Sequence, residues 1–338
     1  MISNANSAKH KPAMPDWYAS TAVYLQPDLR KAVWQCINTF VPYLALWLVM
    51  LYAIQQGYPY WTILALAVGA AALLVRIFIF FHDCCHNSFF ASHRANTVLG
   101  YIAGILTFTP FDDWRRTHGV HHASAGDLDR RGVGDVWTLT VNEYRQASGW
   151  KRLAYRFFRN PLFMLGPVSV VLVLVVQRFP SKGAKKKQIY SVLLTNVAIL
   201  AILGLAGATI GLPAYVMIQL PILLIAWAAG MWLFYIQHQF EGVYWARHEK
   251  VDTLLVALNG SSYYRLPPLL QWFTGNIGLH HIHHLRPRIP NYNLQQCYDE
   301  TPSLQAVTPL SIRRSLKSLW MNLWDEEQQK LVSFRSVA

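Results

Sequence analysis

Apolar and polar positions fall along this chain in long blocks, not in the short periods of a soluble domain. Four strongly apolar blocks, residues 36–54, 60–81, 189–210 and 215–236, are each long enough to cross a hydrocarbon layer, which takes roughly 20 helical residues for ~30 Å. The first two are joined by Gln55-Gln56-Gly57-Tyr58-Pro59 and the last two by Gly211-Leu212-Pro213-Ala214. Connectors this short, broken by Gly and Pro, make each pair a helical hairpin. Tyr58, Tyr60 and Trp61 suit an aromatic belt at one interface. Two lesser apolar stretches, 98–111 and 161–176, do not fit as spans. A crossing at the first would put the histidines on either side of it on opposite faces, and a crossing at the second would send a lysine cluster outside. Both are therefore expected to be interfacial or re-entrant.

Charge sets the orientation. Lys9, Lys11, Arg30 and Lys31 precede the first block, and Lys182, Lys185, Lys186 and Lys187 precede the third. The positive-inside rule makes both groups cytoplasmic and turns both hairpin tips outward. The expected fold is an all-α integral membrane protein with four transmembrane helices in two hairpins and a cytoplasmic helical cap. Its parts are a cytoplasmic N-terminal segment (1–35), hairpin one (36–81), a first cap region (82–188), hairpin two (189–236) and a second cap region (237–338). The chain is 53% hydrophobic with a formal net charge of +13. A basic excess beside apolar runs fits a cytoplasmic membrane face and not nucleic-acid binding. Cys36, Cys84, Cys85 and Cys297 form no disulfide or zinc-finger spacing and are read as reduced. The first 35 residues do not resemble a cleaved signal peptide.

Ten of the 13 histidines gather in four places, all just cytoplasmic of the predicted spans. They are His82-Asp83-Cys84-Cys85-His86, His118-Gly119-Val120-His121-His122, the lone His238, and His280-His281-Ile282-His283-His284. A spacing of i, i+4 sets two imidazoles on one helix face, and i, i+3, i+4 gathers three toward one side. Taken alone, a pair arises by chance and a lone membrane-end histidine is most often a hydrogen-bonded interface residue. Together they are hard to explain as structure, because unpartnered polar side chains beside a bilayer are costly. Metal coordination removes that cost. Zinc takes three or four protein ligands, so this many histidines suit two ions. Imidazole accepts iron, copper, nickel and zinc alike. Paired redox metals beside a bilayer point to oxygen chemistry on an apolar substrate, whose C–H bonds give acid–base catalysis no handle.

The pattern HxxxH, HxxHH and a later HxxHH after a second hairpin resembles the membrane fatty acid desaturases, and most closely the bacterial acyl-lipid enzymes. Residues 82–90, 114–122 with 126–132, 237–241, and 275–285 continuing through Pro290-Asn291-Tyr292 carry the likeness. The resemblance implies a centre of two iron ions that uses O₂ and two external electrons to form a cis double bond and water. Its ligands, carried over by position, are His82, His86, His118, His121, His122, His238, His280, His283 and His284. His281 fills an x position and is excluded. The short HxxxH, in place of the HxxxxH of stearoyl-CoA desaturases, favours a lipid-linked acyl substrate. No His-Pro-Gly-Gly heme motif or Gly-rich dinucleotide fingerprint is present, so a ferredoxin-like or other external donor is implied. A bacterial inner membrane is the expected location.

Asp83, Asp127, Asp129, Asp135 and Glu241 lie near the boxes and could orient imidazoles or instead cap helices and pair with Arg130 or Arg131. Cys84 and Cys85 are expected to pack, His10, His93 and His248 to be solvated, and Arg76 to snorkel to the interface. Three rival readings remain at this point. A hydroxylase or carotenoid oxygenase would share the metals, a non-catalytic protein would only bind them, and a zinc lipid hydrolase would need no electrons.

Overall fold

The computed structural model describes residues 14–337, so Lys9, His10 and Lys11 lie outside the described residues. Helices α1 (Leu29–Gln55) and α2 (Tyr60–Cys85) form the first hairpin. Asp28 caps α1 by accepting from the Arg30 and Lys31 amides at 2.8 and 3.1 Å. Next come α3 (His93–Leu106), α4 (Phe111–Ser124), α5 (Gly149–Arg159) and the composite apolar helix α6 (Pro161–Arg178). Helices α7 (Lys186–Thr209) and α8 (Leu212–His238) make the second hairpin, followed by α9 (Pro268–Phe273), α10 (His280–Leu285) and α11 (Asn291–Glu300).

Helix α2 is the centre of the bundle and packs against α1, α3 and α8. Its Ala67, Ala70 and Ala71 are fully buried and let the neighbouring backbones come close, while Ile63, Leu74 and Ile77 fill the space between. Helices α1 and α7 keep apolar outer faces, with Leu44, Leu48, Leu193, Val197 and Leu200 exposed. Contiguous apolar surface of this kind needs a lipid environment, and the protein is a membrane protein. Both central helices run further than the apolar blocks suggest. Helix α2 continues through His82 to Cys85, and α8 ends on His238.

Among the described residues, five helices are long and apolar enough to cross a membrane, against the four read from the sequence. The additional one is α6, which includes a π-helical turn at Met164–Val168 around Pro167, where proline's missing N–H loosens the ladder. Its two ends are each held by a residue of, or next to, a histidine-bearing helix. Arg159, just before it, donates to the Tyr235 hydroxyl at 3.2 Å and to Gln239 Oε1 at 3.1 Å, beside the end of α8. Ser181, just after it, donates from its hydroxyl to Asp113 on α4 at 2.5 Å.

The remaining segments are not purely helical, which corrects the all-α expectation. Strands β1 (Leu139–Thr140), β4 (Leu323–Asp325) and β5 (Lys330–Val332) form one small sheet, and β2 (Tyr264–Arg265) pairs in parallel with β3 (Leu310–Ser311). Strands of two or three residues carry no readable period; the first sheet forms because the C-terminal tail buries Leu323, Trp324 and Leu331. Arg76 also departs from expectation. It is buried, donates from Nε to the Thr39 hydroxyl at 3.1 Å and from Nη1 to the Trp272 carbonyl, and stacks over the Trp272 ring at 4.1 Å. The short helix α9 covers it, so it has no route to water.

Candidate metal centre

Four helix ends build the centre. Helix α2 brings His82 with His86 at its C-cap, α4 brings His118, His121 and His122, α8 brings His238, and α10 brings His280, His283 and His284. These nine imidazoles converge as two groups whose ligand atoms lie within 4.8 Å of one another: His82, His86, His118, His122 and His283; and His121, His238, His280 and His284. Each HxxHH triplet is divided between the groups. Its i and i+4 members join one group and its i+3 member the other. The helix explains the division, because i+3 and i+4 stand ~100° apart around the axis while i and i+4 nearly eclipse. The triplet therefore bridges two neighbouring sites instead of filling one, a refinement of the single shared side read from the spacing.

The fine geometry fits metal ions. In the larger group, His118 Nε2 lies 3.0 Å from His86 Nε2 and 3.1 Å from His122 Nε2, which is 3.0 Å from His283 Nε2. In the smaller group, His238 Nε2 is 3.1 Å from the Nε2 atoms of both His121 and His280. One ring nitrogen has a single proton or a single lone pair, so those of His118, His122 and His238, which each meet two others, cannot make two linear hydrogen bonds. Two metal–imidazole bonds of ~2.1 Å at a right angle put their nitrogens about 3.0 Å apart, matching what is seen. His82 Nε2 and His284 Nε2 are buried without a hydrogen-bond partner, as donors awaiting an ion would be. Both nitrogens of His281 are unpartnered too, but its ring points away from both groups, against Tyr263 and Tyr298 at 5.6 and 6.3 Å. Convergence, not an unpartnered nitrogen alone, marks the ligand set.

Burial keeps the imidazoles neutral. It pushes the pKa of His86, His118, His122, His280, His283 and His284 well below the ordinary value, and neighbouring imidazoles lower them further. For His281, burial outweighs the opposing influence of the nearby Leu304 and Ser262 backbone and brings it to about 3. Neutral rings present the lone pair that coordination needs.

Three of the nine imidazoles have their other nitrogen held. His121 Nδ1 meets Asp135 Oδ1 at 2.6 Å, His238 Nδ1 meets the Gly260 carbonyl at 3.0 Å, and His82 Nδ1 meets Asp83 Oδ1 at 3.3 Å. Such partners fix tautomer and ring orientation. Trp114 stacks on His118 at 4.2 Å. Of the five acids considered from sequence, only Asp83 and Asp135 reach a ligand. Asp127 engages His248 Nδ1 at 2.7 Å, Asp129 engages Arg247 at 2.6 Å, and Glu241 lies 3.7 Å from Arg314. His248 is thus partnered, and His93 is exposed at the start of α3. Cys84 and Cys85 are buried in the apolar core.

Gly260 and Gln35 escaped the sequence reading, and Asn291 was noticed only as part of a motif. Asn291 donates to Asp83 Oδ2 from its amide at 2.7 Å and from Nδ2 at 2.9 Å, and accepts from Gln35 Nε2 on α1 at 3.0 Å. A polar relay thereby runs from the first apolar helix to His82. Gly134 also has a structural duty. Its φ is +71°, and a Cβ there would lie 3.0 Å from both His121 Cβ and the Thr117 carbonyl, so a glycine lets the loop close onto α4 and set Asp135 against His121.

The family model described as fatty acid desaturase matches residues 57–309. A fatty acid desaturase of Bacillus subtilis (strain 168) is 44% identical over 318 residues, covering 94% of this chain and 89% of the relative. An sn-1 oleoyl-lipid 12-desaturase of Picosynechococcus is 25% identical over 253 residues, covering 73% and 71%. An sn-1 acyl-lipid omega-3 desaturase (ferredoxin) of Nostoc is 24% identical over 269 residues, covering 74% and 69%.

Proposed function

The chain belongs to the fatty acid desaturase family, an oxidoreductase class, and from that premise we propose that it forms a cis double bond in the acyl chain of a membrane lipid. The ligands are His82, His86, His118, His121, His122, His238, His280, His283 and His284, holding two iron ions. The observation that carries this reading is the convergence of these nine side chains, from four separate segments, into two adjacent donor sets. When bound, the iron pair supplies the oxidising power by which O₂, two external electrons and two protons take up two hydrogens of the chain and leave as two waters.

The protein's own part is positional. Buried neutral imidazoles hold the ions, and Asp135, Asp83 and the Gly260 carbonyl aim three of them. The acyl chain has to be held with one pair of carbons against the two groups, with water excluded from them. A lipid-linked substrate is supported by the acyl-lipid names of relatives, and an external donor by the word ferredoxin in one of them.

The reading takes four helices as spanning, α1, α2, α7 and α8. What supports it is that both ends of α6 are held by the histidine-bearing helices, at Tyr235 and Gln239 beside His238 and at Asp113 in the first turn of α4. A helix with both ends on one side is interfacial or re-entrant and does not cross. Helix α3, of 14 residues, reaches only ~21 Å. The cap then lies on the cytoplasmic side of a bacterial inner membrane, where the lysines before α7 also belong.

The test is fatty-acid methyl ester analysis of cells expressing the chain beside a His121→Ala variant, with and without air. A new unsaturated ester that needs both air and His121 is the expected result. A hydroxylated or carotenoid product would move the chain to another chemistry at the same site, and an unchanged lipid profile with iron and donor supplied would overturn the assignment.

A further inference from the structure

Helix α5 has three faces that do different things. Its inner face buries Tyr155 and Arg159. Tyr155 accepts from the Leu139 amide at 3.1 Å and donates to the Asn322 carbonyl, and Arg159 reaches Tyr235 and Gln239 on either side of His238. The opposite face is apolar and uncovered. Trp150 is 82% exposed, with Leu153 and Phe157 beyond it at helical spacing. The strip does not stop at the helix end. Phe157 packs edge-on against Phe163 at 5.1 Å, and Leu162, also 82% exposed, carries it into α6. Lys151 and Arg152 are exposed along its flanks, as is Arg156, which donates to the Tyr144 hydroxyl at 2.6 Å and lies over the Phe334 ring. Among the described residues, no ion pair engages any of the three.

We infer that α5 lies in the plane of the membrane interface and docks on anionic phospholipid headgroups. A water-facing helix would not keep Trp150, Leu153 and Phe157 in one uncovered row, while a protein partner would have no reason to continue the row into α6. A helix with an apolar face and a basic margin sinks the first ~5–10 Å into the boundary between headgroups and chains and sets the second against negative lipid. Continuity with α6, itself apolar enough for the bilayer, selects lipid as the occupant. Because the inner face of the same helix grips residues flanking His238, the docked helix ties the membrane surface to one arm of the metal centre.

The experiment places a spin label at Leu153→Cys in a Cys36→Ser background, since Cys84, Cys85 and Cys297 are buried. The full-length protein goes into nanodiscs of phosphatidylcholine alone or mixed with phosphatidylglycerol. Collision with O₂ and with a water-soluble nickel chelate is compared with labels at Leu48→Cys, on the lipid-facing side of α1, and at Val133→Cys, on an exposed loop. Position 153 should resemble position 48 in the mixed membrane, and lose part of its O₂ preference in pure phosphatidylcholine. The double variant Lys151→Gln/Arg152→Gln should abolish that lipid dependence. A label as accessible to nickel as position 133 in both membranes would overturn the inference. So would one shielded from both reagents, which would mean a protein covers the face, or one equally lipid-buried whatever the headgroup charge.

Discussion

Asp135 offers the sharpest test of the two-group arrangement, because it meets a single imidazole of a single group. Its carboxylate lies 2.6 Å from His121 Nδ1, and both side chains are at least nine-tenths buried. The pair holds the Nδ1–H tautomer, which turns the Nε2 lone pair toward His238. Removing a carboxylate that orients a metal-bound imidazole lowers metal affinity by about 10–100-fold. Asp135→Asn keeps an acceptor oxygen but loses the charge, so it should sit near the lower limit, about 1.4 kcal/mol. Asp135→Leu loses both and should sit near the upper limit, about twice that. The assay is iron retained per chain, by mass spectrometry of metal content, as detergent-solubilised protein is dialysed against a graded series of chelators. Wild type should release two ions over one range, and the variants should release one early and one normally. Loss of both ions together would mean that the nine histidines form one inseparable cluster. Wild-type retention of both in Asp135→Leu would refute the orienting role altogether.

Other outcomes follow from the same geometry. Six ligand imidazoles have folded-state pKa values well below the ordinary one of about 6.5, so the unfolded chain binds more protons once pH falls through that value. Metal-free protein should therefore hold its full stability above about pH 7 and lose it steadily as pH drops below about 6.5, read as the thermal unfolding midpoint in detergent; a midpoint that rises on acidification would contradict the burial argument. Gly134→Ala forces a side chain into left-handed backbone and against His121 and Thr117, at a cost of roughly 1–2 kcal/mol or more. It should lower the unfolding midpoint and empty the four-histidine site first, and unchanged iron content would remove Gly134 from the account. His281→Phe should still hold two irons, since His281 lies outside both groups, and a variant holding one would make His281 a ligand.

The hairpins were legible because crossing a bilayer demands a long apolar run, and two such runs separated by four or five residues leave no other fold. The converging histidines were legible because i, i+3, i+4 spacing is rare for an imidazole, but the selection of His238 and the rejection of His281 came from family resemblance and not from spacing. What the sequence hid was long-range. Asp127, Asp129 and Asp135 look equivalent in a stretch of nine residues, and only the turn at Gly134 delivers one of them to His121. The 256-residue separation of Gln35 from Asn291 likewise leaves no local trace. Arg76 looked able to snorkel because the sequence does not tell that α9 folds back over it. The apolar length of α6 suggests a span, and only the anchors at its two ends argue otherwise.

The unbroken passage of α2 and α8 into the metal-bearing segments has a consequence for how such a chain can change length. A residue inserted anywhere in α2 ahead of His82 would turn His82 and His86 by ~100° and lift them ~1.5 Å, swinging them away from His118 while leaving the apolar surface almost untouched. An insertion of four would nearly restore the angle but raise the pair by ~6 Å. Helical phase and height therefore constrain the two central helices together, whereas the connectors at Gly57 and Gly211, at the far end, can vary without disturbing a ligand. Length variation in this architecture belongs at the hairpin tips and is excluded from the shafts.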